Sequence, residues 1–268
     1  NKIFILGIDG MPYSLMQSDY IKNLMPNLSD ICIRYNLYKM NSVFPVISSV
    51  AWTSFATGSN PGEHNIFGFA DRQYDPFKIK IPTSKNRKKP PVWSQLSRTK
   101  KKIVINVPLT YPPEALNGYM VSCFLCPDIH KSTYPNDYHK HLMDTNYIID
   151  VDAWLVRENK TKFLQQLILA MDKRFQITFE LLNEDWDYFH LHIMETDRLM
   201  HFFFEYLVGK KSDVITELIE NFLKKLDRWI DRLIGTIQNE SAIIILSDHG
   251  FCQIKSEVQV NLWLEQQG

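Results

Sequence analysis

Apolar runs of strand length alternate with apolar stripes of helical spacing along this chain. Ile3 to Ile8 is an apolar run that reads as a strand. Helical spacing follows through Ile21, Leu24, Leu28 and Ile31. Tyr38 to Val43 reads as a second strand, and Ser49 to Thr57 as a helix closed by Gly58. From Gly58 to Pro91 the chain is rich in glycine, proline and lysine, as in a loop. Val92 to Leu96 starts a short helix, Ile103 to Val107 is a strand, and Tyr119 to Ser122 is a short one. Periodicity is weak from Cys126 to Thr145, and about 126–157 a small lid or insert is expected. Phe163, Leu164, Leu167, Met171, Phe175 and Leu182 then line one face of a long helix over 160–182. Tyr188 to Ile193 is a strand, and Val214 to Leu233 marks a second long amphipathic helix. It feeds Ala242 to Leu246, an unbroken apolar run that reads as a buried parallel strand. The alternation predicts an α/β fold with three layers, α/β/α, around a mainly parallel sheet, as a single domain over 1–268.

Composition narrows the class. A chain of 268 residues with 45% hydrophobic content can bury a substantial core. Thirty basic residues balance thirty acidic ones, so no global field favours a nucleic acid polymer or an anionic membrane. No apolar stretch reaches the roughly 18–20 residues of a membrane helix, and no leader is visible ahead of Ile3. Cys32, Cys123, Cys126 and Cys252 read as reduced thiols of a cytoplasmic protein. Cys123 and Cys126 form a lone C-x-x-C, without the second pair that metal binding would want.

The candidate chemistry lies where strands end, the edge at which open α/β sheets build their sites. Asp9 closes the first strand between Gly7 and Gly10; it is either a helix cap or a metal-binding carboxylate. Ser48 and Ser49 open the next helix, where free N–H groups and the dipole favour an anion; one or both could be simple N-caps. Asp197 and His201 follow the strand Tyr188 to Ile193 at i, i+4 spacing, so one helix face can grip a cation. Asp248 and His249 leave the last strand together, ahead of Gly250. A hydroxyl with two acid/imidazole sets fits a site that clamps two cations about a phosphoryl group displaced in line. Mixed Asp/His ligands suit zinc, with manganese as the other choice. Arg72, Lys85 and Arg87 are cations that could meet a substrate anion, or solvated surface charges.

These motifs resemble the alkaline phosphatase superfamily, and within it the type I phosphodiesterase/nucleotide pyrophosphatase branch. The matching pieces are Gly7-Ile8-Asp9-Gly10, Phe44-Pro45 through Gly58, Asn60 to Ile66, Glu195 to His201, and Ser247-Asp248-His249-Gly250. The resemblance implies an alkaline-phosphatase-like fold and a metal-dependent phosphohydrolase acting on small phosphorylated substrates, mono- or diesters. It implies Ser48 as the nucleophile that carries a covalent intermediate. Asp9, Ser48, Asp248 and His249 would surround one divalent ion, and Asp197 with His201 would hold a second. His64 falls at a position read as structural, and Glu195 as one that orients its neighbours. Two departures accompany the match. The second ion's further histidine would lie downstream, but no histidine follows His249 before Gly268. The chain therefore reads as truncated, with an incomplete second site. Ala51 stands where diesterases often carry an asparagine, so contacts to substrate oxygen fall to the Ser49 N–H or to other groups. Val50 and Trp52 occupy the places of the proline and arginine that a sulfatase needs. The alternatives are a phosphomutase similar to cofactor-independent phosphoglycerate mutase, and a degenerate, non-catalytic binding domain.

Overall fold

β1 (Lys2–Ile8) is the first strand of the computed structural model, which describes residues 2–209, 213–237 and 241–268. β2 (Asp71–Tyr74) and β3 (Phe77–Lys80) form a separate antiparallel hairpin. β4 (Lys102–Ile105), β5 (Gly118–Val121), β6 (Thr133–Tyr134), β7 (Tyr188–Ile193) and β8 (Ser241–Leu246) complete a central sheet with β1. Its order is β6-β5-β4-β7-β1-β8. Every pairing is parallel except that of β5 with β6. The fold is thus the mainly parallel α/β arrangement that the alternating pattern predicts.

The period of two along each strand sorts side chains into two cores. Phe4, Leu6 and Ile8 of β1, Ile103 and Ile105 of β4, and Phe189, Leu191 and Ile193 of β7 face one side. They meet the long helices Lys160–Leu182 and Val214–Thr236, together with the helix Pro26–Tyr35. Each long helix has a side-chain N-cap: Asn159 accepts from the Lys162 N–H and Asp213 from the Thr216 N–H. Ile5, Val104 and Tyr188 face the other side, against Ala56 of the helix Ser48–Thr57 and Trp93 of the short helix Val92–Gln95. His190 and His192 share the face of Tyr188 by the same alternation, and both rings lie near Trp52.

Four local expectations change. Tyr38 to Val43 forms no strand, and Tyr38 and Met40 are exposed. Both positions beside β1 are filled by β7 and β8, strands from far along the chain, so this run does not pair with the first strand. Ala242 to Leu246 is parallel as predicted but is the outer strand, with Ile244 exposed rather than buried. The stretch from Gly58 to Pro91 is not loop alone, since it holds the helix Pro61–His64 and the β2–β3 hairpin. Ser48 and Ser49 do not cap their helix: Ile47 holds the N-cap position without a side-chain bond. The segment 126–157 contributes the edge strand β6 and buries Leu142, Tyr147, Val151 and Val156 in the larger core. All four cysteines are free thiols, and burial pushes Cys123 up. Among the described residues no helix is long and apolar enough to cross a membrane.

Candidate active site

The sheet order places β7, β1 and β8 side by side, so the residues after their carboxyl ends share one rim. Two glycines shape the first turn. A Cβ on Gly7 would sit 2.4 Å from the Trp52 ring, so only glycine lets that indole close over β1. Gly10 has φ +68°, and a Cβ there would sit 2.6 Å from Phe251 and 3.3 Å from the Asp197 backbone. Asp9 lies between them, buried, its N–H bonded to Ile193 O. The Thr196 hydroxyl donates to Asp9 O at 2.6 Å, tying the end of β1 to the helix Glu195–Val208. On the other side, Gly10 N–H donates to Asp248 Oδ1 at 3.2 Å and Met11 N–H to Ser247 Oγ at 2.9 Å.

His249 Nε2 stands at the centre of the cluster. It lies 3.0 Å from Ser48 Oγ, 3.4 Å from Asp9 Oδ1, 3.5 Å from Asp248 Oδ2 and 3.9 Å from Asp197 Oδ1. Ser48 Oγ also donates to Asp9 Oδ1 at 3.2 Å. His201 Nε2 is 3.4 Å from Asp197 Oδ1, with its ring edge-on to Phe251 and its side chain half exposed. All six residues expected from the sequence (Asp9, Ser48, Asp197, His201, Asp248 and His249) therefore meet in one chain of contacts. Ser48 sits in the first turn of its helix, where the first N–H groups have no intrahelical acceptor.

The electrostatics of this cluster favour a cation. Burial, reinforced by Asp197, pushes the Asp9 carboxyl up to about 7. Burial and the neighbouring Asp9 push Asp248 up to about 7 as well. Burial also raises Asp197. Burial pulls the His249 imidazole down, but Asp248 and Asp9 together outweigh it and raise it overall. Asp197 Oδ1 and Asp248 Oδ2 are buried without a hydrogen bond. Ligand atoms of Asp9, Asp197 and His249 lie within 4.8 Å of one another. Facing, half-satisfied carboxylates with an imidazole between them fit a divalent ion.

The sequence profile of the type I phosphodiesterase / nucleotide pyrophosphatase family matches residues 3–268. The chain belongs to this family. Similar solved structures include phosphonoacetate hydrolase from Sinorhizobium meliloti in complex with phosphonoformate: TM-score 0.61, 18% identity, 93% of this chain and 56% of that one. The same enzyme with phosphonoacetate gives a TM-score of 0.60 over the same coverage and identity. Murine ectonucleotide pyrophosphatase / phosphodiesterase 5 matches with a TM-score of 0.59 and 15% identity, over 100% of this chain and 62% of that one. The phosphodiesterase-family chain thus spans 56–62% of the length of these structures. No curated protein matches it.

Other residues of this phosphodiesterase-family chain fall outside the cluster. Arg72 on β2 and Lys85 on a 3₁₀ turn are exposed, and among the described residues neither takes part in the contacts that join the cluster. Arg87 pairs with Glu114 and donates to Leu109 O, which commits it to the fold. His64 is buried, accepting from Ile66 N–H at Nδ1 and meeting Ser54 Oγ at Nε2, a structural role. Glu195 forms a buried ion pair with Arg174, 2.7 Å apart, and Arg174 also reaches the Tyr147 hydroxyl and Ile149 O. Ser49 is buried with its hydroxyl unpartnered, one residue from Ser48.

Three further residues, to which the sequence pattern assigns no site role, complete the surroundings of Asp9 and His249. Trp52 Nε1–H donates to Asp9 Oδ2 at 3.1 Å, and His192 Nε2 lies 2.7 Å from the same oxygen. Ser247 bridges the two rim turns, accepting from Met11 N–H and donating to His249 O.

Proposed function

We propose that this chain is the core of a metal-dependent phosphohydrolase that cleaves phosphate mono- or diesters through a covalent intermediate on Ser48. The carrying observation is the position of the Ser48 hydroxyl, within 3.0–3.2 Å of His249 Nε2 and Asp9 Oδ1 at the start of a helix. Family membership and the phosphonoacetate hydrolase fold give independent support.

Asp9, Asp248 and His249 would hold one divalent ion with Ser48, and Asp197 with His201 would serve a second; zinc suits the donor set and manganese is the other choice. Bound cations would supply positive charge against the phosphoryl oxygens and favour the ionised form of the nucleophile. The chain's own groups do the rest. Ser48 Oγ gives up its proton to solvent and attacks phosphorus, its contact with Asp9 Oδ1 and His249 Nε2 holding it in place. The P–O bond to the leaving group breaks, and the alkoxide departs with that electron pair and takes a proton from water. The Ser48 and Ser49 N–H groups at the helix start face the developing negative charge. Water then attacks the phosphoseryl group and restores Ser48.

The test pairs metal analysis with a panel of nitrophenyl mono- and diesters on wild type and Ser48→Ala. Wild type is expected to bind divalent metal and turn over at least one ester class. Ser48→Ala is expected to lose turnover by several orders of magnitude. Full metal-dependent turnover in Ser48→Ala refutes the nucleophile. Free phosphate or its monoester as product marks a hydrolase, whereas interconverted monophosphate isomers mark a mutase.

A further inference from the structure

Asp9 presents its two oxygens to different surroundings. Oδ2 accepts from Trp52 Nε1–H at 3.1 Å and faces His192 Nε2 at 2.7 Å, so its two lone pairs are both engaged. Oδ1 faces Ser48 Oγ and His249 Nε2. The engaged side is wholly interior. Trp52 and His192 have no exposed surface, and their rings meet edge to face with centroids 4.8 Å apart.

The tautomer of His192 follows from its other neighbour. Asn106, just past β4, is buried with φ +62°, a backbone region that asparagine tolerates better than most residues. Its Nδ2 donates to His192 O at 3.3 Å, which fixes the amide orientation because a carbonyl must receive a donor. The same Nδ2 lies 3.5 Å from His192 Nδ1. A donor at Nδ1 leaves the ring proton on Nε2, where it is directed at Asp9 Oδ2. In the sheet order β4, β7 and β1 are consecutive, so the groups line up across neighbouring strands.

We propose that Asn106, His192 and Trp52 form a relay that occupies Asp9 Oδ2 and so commits Asp9 to grip its cation through Oδ1 alone. The proposal rests on the reading of Asp9 as a metal ligand. All three are positioning residues, acting on the ion through the orientation of one carboxylate. Without them Asp9 would be free to swing and to chelate through both oxygens.

The experiment loads the purified chain with cobalt(II) and records its d–d absorption, with affinity from competition against a chelator. His192→Phe keeps an aromatic ring but removes the donor; Trp52→Phe does the same at the second donor and decides the matter should His192→Phe fail to fold. In both, the d–d bands are expected to weaken as coordination number rises, and cobalt affinity to fall roughly 10–100-fold. His192→Gln, whose amide N–H can replace Nε2–H, is expected to restore both readings toward wild type. Spectra and affinities unchanged in the two phenylalanine variants overturn the relay while leaving the proposed function standing. A loss that His192→Gln does not restore overturns it too, as simple loss of packing. A wild-type chain that binds neither cobalt, zinc nor manganese overturns both the relay and the metal reading beneath it.

Discussion

At the scale of single residues, the cluster sets acids against one another in a buried place. Burial and neighbouring acids push the Asp9 and Asp248 carboxyls up to about 7 in the fold, against an ordinary aspartate value of about 3.9 in an unfolded chain. A carboxyl raised on folding binds its proton more tightly in the native state, so stability falls as pH climbs through the folded value. His249, raised on folding, contributes in the same direction. His64, His190 and His192, lowered by burial (His190 to about 3, His192 to about 4), act oppositely, but mostly below their unfolded value of about 6.5, so that little of their effect remains in the alkaline range. The metal-free protein in chelator is therefore expected to melt lower at pH 8.5 than at pH 6.5. A melting temperature that rises across that interval refutes the picture of mutually repelling acids. The same residues mark what could be read from sequence. Asp9, Asp197, Asp248 and His249 are polar groups just past strand ends, and Ser48 opens a helix, places where nothing in a core needs them. Trp52 is apolar enough to pass for core, and its one N–H decides its role only once Asp9 is beside it. His190 and His192 left a usable trace: two imidazoles at i, i+2 on one face of a buried strand require polar partners.

At the scale of elements, the helix Glu195–Val208 is held at the end that bears Asp197. Glu195 pairs with Arg174 from the long helix, and Arg198 with Asp150 through two contacts. These pairs bracket Asp197 on both sides along the chain. Arg174 and Glu195 are both fully interior, and removing one partner leaves an uncompensated charge. Arg174→Met is expected to cost about 3–5 kcal/mol in chemical denaturation. The double variant Arg174→Met with Glu195→Gln should recover much of that. A single variant as stable as wild type would mean that the pair does not govern this helix end. Element boundaries also show where periodicity runs out as a guide. The helices over 160–182 and 214–236 carry stripes long enough to fix them without any neighbour. Tyr38 to Val43 carries strand-like residues, yet a strand needs a neighbour to pair with, and β7 and β8 take both places beside β1. Likewise the run Ala242 to Leu246 specifies a strand but not its place, which here is the edge.

At the scale of the whole molecule, the cluster joins regions that are remote in sequence: the ends of β1, β7 and β8 and the start of the helix Ser48–Thr57. A cation held there would tie these regions together only in the folded state. It should stabilise by RT ln(1 + [M]/Kd), about 2.7 kcal/mol at a hundredfold excess over Kd. Because the ligands come from across the sheet, tryptophan fluorescence and far-ultraviolet dichroism should report the same shift. Asp197→Asn separates the two roles of the carboxylates. It removes one buried acid whose charge raises Asp9, so the metal-free protein is expected to melt higher than wild type at pH 8.5. It also removes a ligand, so the increment on adding zinc or manganese is expected to shrink. A site that gives up stability for function would show both changes in one variant. If instead Asp197→Asn lowers the metal-free melting temperature and leaves the metal increment intact, Asp197 serves the fold and the cation is held without it.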